Sequence, residues 1–311
     1  MRLVFLGTPV FAVPSLERLV AAGHDVLQVI TQPDRPLGRG LRMAISPVKH
    51  AAFGLRIPVA QPERVRRPEA VEALRTLAPD CMVVVGYGQI IPQSVIDLPP
   101  HGIVNVHASL LPKYRGAAPV QWAIANGETR TGVTTMRIDA GLDTGDILLA
   151  RETEIGPEET AVELGARLAQ LGADLLIETL KEIEAGRMVS RRQDSSKATL
   201  APILKKEDGL IDWSRPAESV HNLIRGMQPW PGAFTTFRGQ TLRIWRAWVG
   251  PASGSAPPGR FAGLNPLTVS CGEGALQLLE VQLEGRRVMT GPAFANGHRL
   301  TERDILGDAR T

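Results

Sequence analysis

Five short apolar runs in the first 107 residues restrict what this chain can become more than any other feature. Arg2–Gly7, Asp25–Thr31, Ile57–Ala60, Cys81–Val85 and Ile103–His107 read as strands bounded by turn signals. Between them, Val10–Ala22, Ser46–Phe53 and Pro68–Leu77 carry apolar residues at helical spacing. Strand and helix in alternation predict an α/β fold, a doubly wound, mostly parallel, Rossmann-like sheet covered on both faces. Gly7-Thr8-Pro9 is not the G-x-G-x-x-G fingerprint, and no Walker-type phosphate loop occurs, so neither a nicotinamide cofactor nor a nucleoside triphosphate is implied. With 311 residues and 43% hydrophobic content, the chain has enough for a second domain.

The fifth run ends in chemistry. Asn105 and His107 stand two apart, and side chains of a strand alternate, so an amide and an imidazole leave the same face. Either they are ordinary satisfied polar residues, or they donate hydrogen bonds to an oxygen gaining negative charge. Tyr87–Pro92 is a glycine-rich exit from the preceding strand, and Ile90 and Ile91 give it an apolar side. Ligands of open α/β sheets bind outside the carboxyl ends of strands, so this exit and Asn105–Pro112 can wall one crevice. Farther on, Ile138–Asp146 packs Asp139, Asp143 and Asp146 with Gly141 and Gly145 into a tight loop, and one carboxylate can point back toward His107. Its spacing is not that of a calcium loop, and no metal is expected.

Cys81 and Cys271 lie far apart and read as reduced, unpaired thiols. The opening apolar run is too short for a secretory signal, and no apolar stretch approaches the roughly 20 residues that span a bilayer. A cytoplasmic monomer without membrane contact is expected. Residues 1–204 balance 22 Lys and Arg against 22 Asp and Glu, while 205–311 carry 13 against 10, so the net +3 resides in the C-terminal third. That excess is compatible with a polyanionic partner but does not identify one.

The connection from Pro33 to Pro47 exceeds the usual few residues of an α/β unit and holds Arg35, Arg39 and Arg42 among glycines. It reads either as a solvated surface loop or as a loop whose arginines meet phosphates. Arg64-Val-Arg66-Arg67 reads as a solvated turn. Glu159–Ala185 is a long helical segment. The expected division is a catalytic domain over 1–189, a polar linker over 190–208 and a second domain over 209–311. In the second domain a helix near Ala217–Gly226 precedes β-like runs at Gly232–Phe237, Thr241–Val249, Leu267–Cys271, Ala275–Val281 and Arg286–Met289, which suggest a small OB-like β-barrel. Trp213, Trp230, Trp245 and Trp248 could stack on bases, but their apolar neighbours favour core packing, which is the expectation for each.

Several motifs taken together carry a resemblance. Asn105-x-His107-x-Ser109-Leu-Leu-Pro112, Arg115-Gly-Ala-Ala-Pro119, Gly132-Val-Thr and Asp139-x-Gly-Leu-Asp143-Thr-Gly-Asp resemble the folate-dependent formyltransferases. Phe5-Leu-Gly-Thr-Pro, the loop Thr31–Gly40, Ile211-Asp-Trp213 and Pro229-Trp230-Pro231 narrow it to those acting on a charged tRNA. The resemblance implies formyl transfer from 10-formyltetrahydrofolate to the amino group of methionyl-initiator tRNA. It further implies Asn105, His107 and Asp143 as the catalytic residues and Ser109, Leu110, Leu111 and Pro112 as folate contacts. The pterin wall would be Ile90, Ile91, Gly141 and Leu142, and Arg39, flanked by Arg35 and Arg42, would read the tRNA.

Overall fold

The structure, a computed structural model, describes every residue except 38–41, 251–255, 302 and 308–311, and for 36, 37 and 42 the backbone alone. It divides into two compact units. The first comprises Met1–Pro119, Arg130–Glu154 and Gly165–Pro202, and the second comprises Val120–Thr129, Ile155–Leu164 and Ile203–Thr311.

In the first unit, strands β1 (Arg2–Gly7), β2 (Asp25–Ile30), β3 (Val59–Ala60), β4 (Cys81–Val85), β5 (Ile103–His107), β6 (Arg130–Arg137) and β7 (Ile147–Glu154) form one sheet in the order β7-β6-β5-β4-β1-β2-β3. The pairs from β3 to β5 are parallel, and β6 and β7 add an antiparallel edge. Both faces are covered, which is why β4 reads as the unbroken run Cys-Met-Val-Val-Val and is buried throughout. Alternation sorts the side chains. Leu3, Phe5, Val83, Val85, Val104 and Val106 pack on one face with Leu16 and Leu19 of α1 (Val13–Ala21) and Leu176 and Leu180 of the long helix Ala161–Glu184. Val4, Leu6, Met82, Val84 and Ile103 pack on the other with Val71 and Leu74 of the helix Pro68–Leu77. Asn105 and His107 therefore share the face of Ile103, at the carboxyl end of a central strand. Behind them, a Cβ on Gly172 would stand 2.8 Å from Val106, so only glycine lets the long helix lie this close to β5.

Local chemistry sets the helix starts. Ser46 accepts the Lys49 N–H at 3.0 Å ahead of the helix Pro47–Gly54, with proline at its first position. The connection read as a loop is partly a hairpin, Arg35–Leu37 pairing antiparallel with Arg42–Ala44. At its base Lys49 joins Asp34 at 2.5 Å and Gln61 at 2.6 Å. Helices at Gln93–Ile96, Pro119–Ala125 and Gly291–His298 were not expected, because they are short or built from Gly and Pro.

The second unit holds an antiparallel sheet of β8 (Ala233–Phe237), β9 (Gln240–Gly250), β10 (Phe261–Leu264), β11 (Leu267–Ser270) and β12 (Ala275–Leu283) in the order β8-β9-β12-β11-β10, with β13 (Met289–Thr290) also on β12. The expected closed barrel is not formed. Among the described residues no ladder joins the outer strands β8 and β10, so the sheet stays open and its core is closed by helices. Val220 and Ile224 of the helix Ala217–Gly226 and Phe294 of Gly291–His298 pack on Phe237, Leu242, Ile244 and Leu278. The tryptophans divide. Trp213 is buried and donates to Thr235 Oγ1 at 3.0 Å, and Trp245 is half-buried and donates to Gln282 Oε1 at 3.0 Å. Trp230 and Trp248 are each 54% exposed, against the expectation of core packing. On a strand buried on one face only, an apolar side chain can point either way, and Trp248 points outward.

Buried imidazoles make stability depend on pH. His24 and His221 are held below the ordinary 6.5, each chiefly by burial. For His24 the Met1 ammonium adds to this, while for His221 the facing Glu158, 3.3 Å away, opposes it. A folded imidazole that resists protonation binds fewer protons than the unfolded chain, so stability is lost as pH falls through 6.5 toward the folded values. The melting temperature is expected to fall from about pH 7.5 to about pH 5.5, less steeply in His221→Gln. Thermal scans across that range measure it, and an equal slope in the variant would remove His221 from the account.

Candidate active site

The site is built where β5 ends. Asn105 pairs in register with Met136 and His107 with Thr134, and both side chains are nearly buried, at 8% and 6% exposure. Beyond His107 the chain makes a compact turn held by β6: Thr134 Oγ1 donates to the Ser109 carbonyl at 2.7 Å and accepts the Leu111 N–H at 3.2 Å. Ser109 Oγ donates to the Lys113 carbonyl at 2.6 Å. The turn then brings the Tyr114 carbonyl back to His107 Nε2 at 2.9 Å. A carbonyl only accepts, so Nε2 carries a proton and Nδ1 is left for other work.

Asp143 faces Nδ1. Its Oδ2 lies 3.7 Å away, longer than a hydrogen bond and short enough to be bridged by water or by a small rotation. The carboxylate is held by the Gly116 N–H, 2.8 Å from Oδ2. Its backbone sits at φ 51°, a left-handed conformation costly for a residue with a Cβ and typical of functional loops. Thr144 Oγ1 donates to Asp139 at 2.7 Å across the loop. A Cβ on Gly145 would collide with the Arg137 carbonyl, so the loop cannot close without glycine there.

The other predicted residues are spread around this centre. Leu110 and Pro112 are partly exposed, whereas Ser109 is buried and Leu111 packs with Met136 and Ile147. Leu142, beside Asp143, is 64% exposed, and Gly141 is exposed next to it. Ile90 is 88% exposed, but Ile91 packs with Tyr87 and Val95 and so backs its turn instead of facing out. Arg64 and Arg66, read from the sequence as a solvated turn, line a cavity of about 260 Å³ with Gly88, Gln89 and Ile90. Arg35 is exposed on the hairpin, Arg42 opens its second strand, and Arg39 lies outside the described residues.

Sequence reasoning missed the supports. Tyr114, Gly116 and Gln193 hydrogen-bond to the imidazole and the aspartate loop, and although Gly116 lies in the Arg115–Pro119 motif, nothing in the local sequence signals these contacts. The stretch expected as a linker over 190–208 is divided: 190–202 lies in the first unit, where Gln193 is buried and Leu200–Ala201 pairs parallel with Arg115–Gly116, and Ile203 begins a segment of the second.

An amide and an imidazole beside a carboxylate, at the carboxyl edge of a parallel sheet, suit group transfer through an oxyanion. Comparison with known proteins gives the class. The formyl transferase family matches residues 1–180, and the formyl transferase C-terminal domain matches 203–299. Fold neighbours include an N-formyltransferase from Helicobacter canadensis solved with folinic acid and dTDP-3-aminofucose, at TM-score 0.66 and 19% identity, covering 92% of this chain and 99% of that one. HypX from Aquifex aeolicus in complex with tetrahydrofolic acid gives TM-score 0.66 at 18% identity, over 96% of this chain and 47% of that one. Sequence relatives are much nearer. Methionyl-tRNA formyltransferases of Solibacter usitatus and Koribacter versatilis are 67% and 57% identical over 99% of both chains, and that of Geobacter sulfurreducens is 50% identical over 99% of this chain and 98% of its own. The chain belongs to the methionyl-tRNA formyltransferase family.

Proposed function

We infer that this chain transfers the formyl group of 10-formyltetrahydrofolate to the free amino group of methionyl-initiator tRNA, with Asn105, His107 and Asp143 as its catalytic residues. The observation that carries the assignment of residues is the approach of His107 Nδ1 to Asp143 Oδ2, 3.7 Å apart although they come from different elements. The amine attacks the formyl carbon, a C–N bond forms, and the carbonyl oxygen takes the negative charge. Asn105 donates to that oxygen through its amide, and His107, with Nε2–H committed to Tyr114, donates through Nδ1–H in the doubly protonated imidazolium form that the facing carboxylate favours. Asp143 takes the proton of the attacking amine, directly or through water, and the same proton reaches N10 as the C–N10 bond breaks. The products are N-formylmethionyl-tRNA and tetrahydrofolate.

No covalent enzyme intermediate is required. Ser109 Oγ is occupied by the Lys113 carbonyl, and burial pushes the Cys81 thiol up to about 12. Leu110, Pro112, Gly141, Leu142 and Ile90 are the folate contacts, with Leu111 and Ile91 supporting them from behind. The exposed apolar surface at Ile90 and Leu142 suits the body of a pterin ring. Arg39, with Arg35 and Arg42, meets the tRNA. The second unit, read as an open relative of the OB type, adds a further tRNA surface that includes Trp230 and Trp248. One chain supplies all three proposed catalytic residues, which is compatible with action as a monomer, and a role in translation initiation is compatible with a cytoplasmic enzyme.

A small-amine acceptor is the competing reading. With one labelled formyl donor, the wild type is expected to formylate methionyl-initiator tRNA and to leave glycinamide ribonucleotide and amino-sugar nucleotides unmodified. Arg39→Ala is expected to raise KM for the tRNA while leaving KM for the folate within about twofold, because loss of a phosphate contact weakens RNA binding alone. Efficient transfer to the small amines would overturn the acceptor assignment, and an equal rise in both KM values would overturn the role of Arg39.

A further inference from the structure

We propose that Gln193, anchored by Arg115, is the positioning residue that holds Asp143 toward His107. The proposal rests on the reading of Asp143 as catalytic. Gln193 is 7% exposed, and every hydrogen-bonding position of its amide is used. Nε2 donates to the Asp143 carbonyl at 2.8 Å and to the Gly145 carbonyl at 2.7 Å. Oε1 accepts from Arg115 Nε at 3.1 Å and from Nη2 at 2.7 Å. Two carbonyls of the aspartate loop are thereby fixed by a side chain that is itself fixed by a buried guanidinium.

The geometry explains how Asp143 keeps its left-handed backbone. Besides the hydrogen bonds within the loop, the carbonyl on that residue is gripped by Gln193 and the carboxylate by the Gly116 N–H. Arg115 and Gly116 are consecutive, so one short segment anchors Gln193 with its side chain and Asp143 with its backbone. That segment is held in turn from the chain after Gln193. The Arg115 N–H donates to the Thr199 carbonyl at 2.9 Å, Leu200–Ala201 pairs with Arg115–Gly116, and a Cβ on Gly116 would meet the Ala201 carbonyl at 2.5 Å. The Tyr114 N–H donates to Thr199 Oγ1 at 2.9 Å, and the Tyr114 carbonyl is the partner of His107 Nε2. Residues 193–201 are thus a strap that sets both the imidazole and the carboxylate, and Gln193 is its contact with the latter.

Two substitutions separate positioning from simple support of Arg115. Gln193→Met keeps the volume and loses all four hydrogen bonds, while Gln193→Glu keeps an acceptor for Arg115 and loses both donors to the loop. Both are expected to lower kcat for formyl transfer to methionyl-initiator tRNA by roughly 10- to 100-fold, as for a reacting group displaced by about 1 Å, with KM for folate and tRNA within about twofold. Both should alter the pH dependence of kcat in the manner of Asp143→Asn, and Gln193→Met combined with Asp143→Asn should be little worse than Asp143→Asn alone. Wild-type kcat and pH profile in Gln193→Glu would overturn the proposal, because a residue serving only Arg115 is satisfied by glutamate. Should Gln193→Met not fold, Gln193→Glu carries the test. If Asp143→Asn itself retains full activity, the failure lies with the catalytic assignment and takes the positioning role with it. If Asp143→Asn is impaired and Gln193→Glu is not, the positioning role alone is lost.

Discussion

His107→Ala is expected to lower kcat for formyl transfer by a factor of hundreds or more, and Asn105→Ala by a similar factor, with small changes in KM. Each removes one proposed donor to an oxygen that bears charge only in the transition state, a loss of about 2.7–4 kcal/mol in comparable sites. The imidazole carries a second duty: its Nε2–H donates to the Tyr114 carbonyl, so His107→Ala also removes a hydrogen bond at a buried position. For that reason Asn105→Ala is the cleaner test of oxyanion stabilisation, and the melting temperature of His107→Ala needs to be measured beside its rate. Single-turnover rates with labelled formyl donor and charged initiator tRNA report the chemical step. Either variant turning over within a few-fold of wild type would remove that residue from the proposed chemistry.

The geometry of the proposed catalytic residues was partly legible because it is governed by local rules. Asn105 and His107 lie two apart on a strand whose other residues are apolar, and alternation alone fixes them to one face. The aspartate loop was legible from its glycines, and Gly145 proves indispensable for steric reasons. The first sheet followed from runs such as β4, whose composition permits little else. What sequence could not show depends on contacts between distant residues. Gln193 meets Arg115 from 78 positions away, in a stretch whose polarity suggests a linker. Ile90 and Ile91 are adjacent and chemically identical, yet one is exposed and the other buried, since a turn after a strand has no periodicity to separate them. The open edge of the second sheet is likewise a question of which strands pair, and strand number does not decide it.

Phe294→Ala is expected to destabilise the second unit by about 3–5 kcal/mol, the usual cost of emptying a large aromatic site in a packed core. The ring is fully buried, with the Phe237 ring edge-on at 5.2 Å and the His298 ring at 4.6 Å. It projects from a helix whose first residue, Gly291, packs so closely that a Cβ would strike the Leu278 carbonyl, so the helix cannot settle inward to fill the space. A cavity that cannot collapse takes the upper part of the cost. The thiols offer a residue-level readout. Cys271 belongs to the same core cluster and its thiol is pushed up to about 11 by burial, so it reacts only when the unit opens. In the limit where reclosing outpaces reaction, labelling of Cys271 should accelerate roughly 10²- to 10³-fold or more in Phe294→Ala. Cys81, buried in the first unit, labels in parallel and distinguishes opening of one unit from unfolding of the whole chain. An unchanged rate at Cys271 would mean that Phe294 does not hold this core closed.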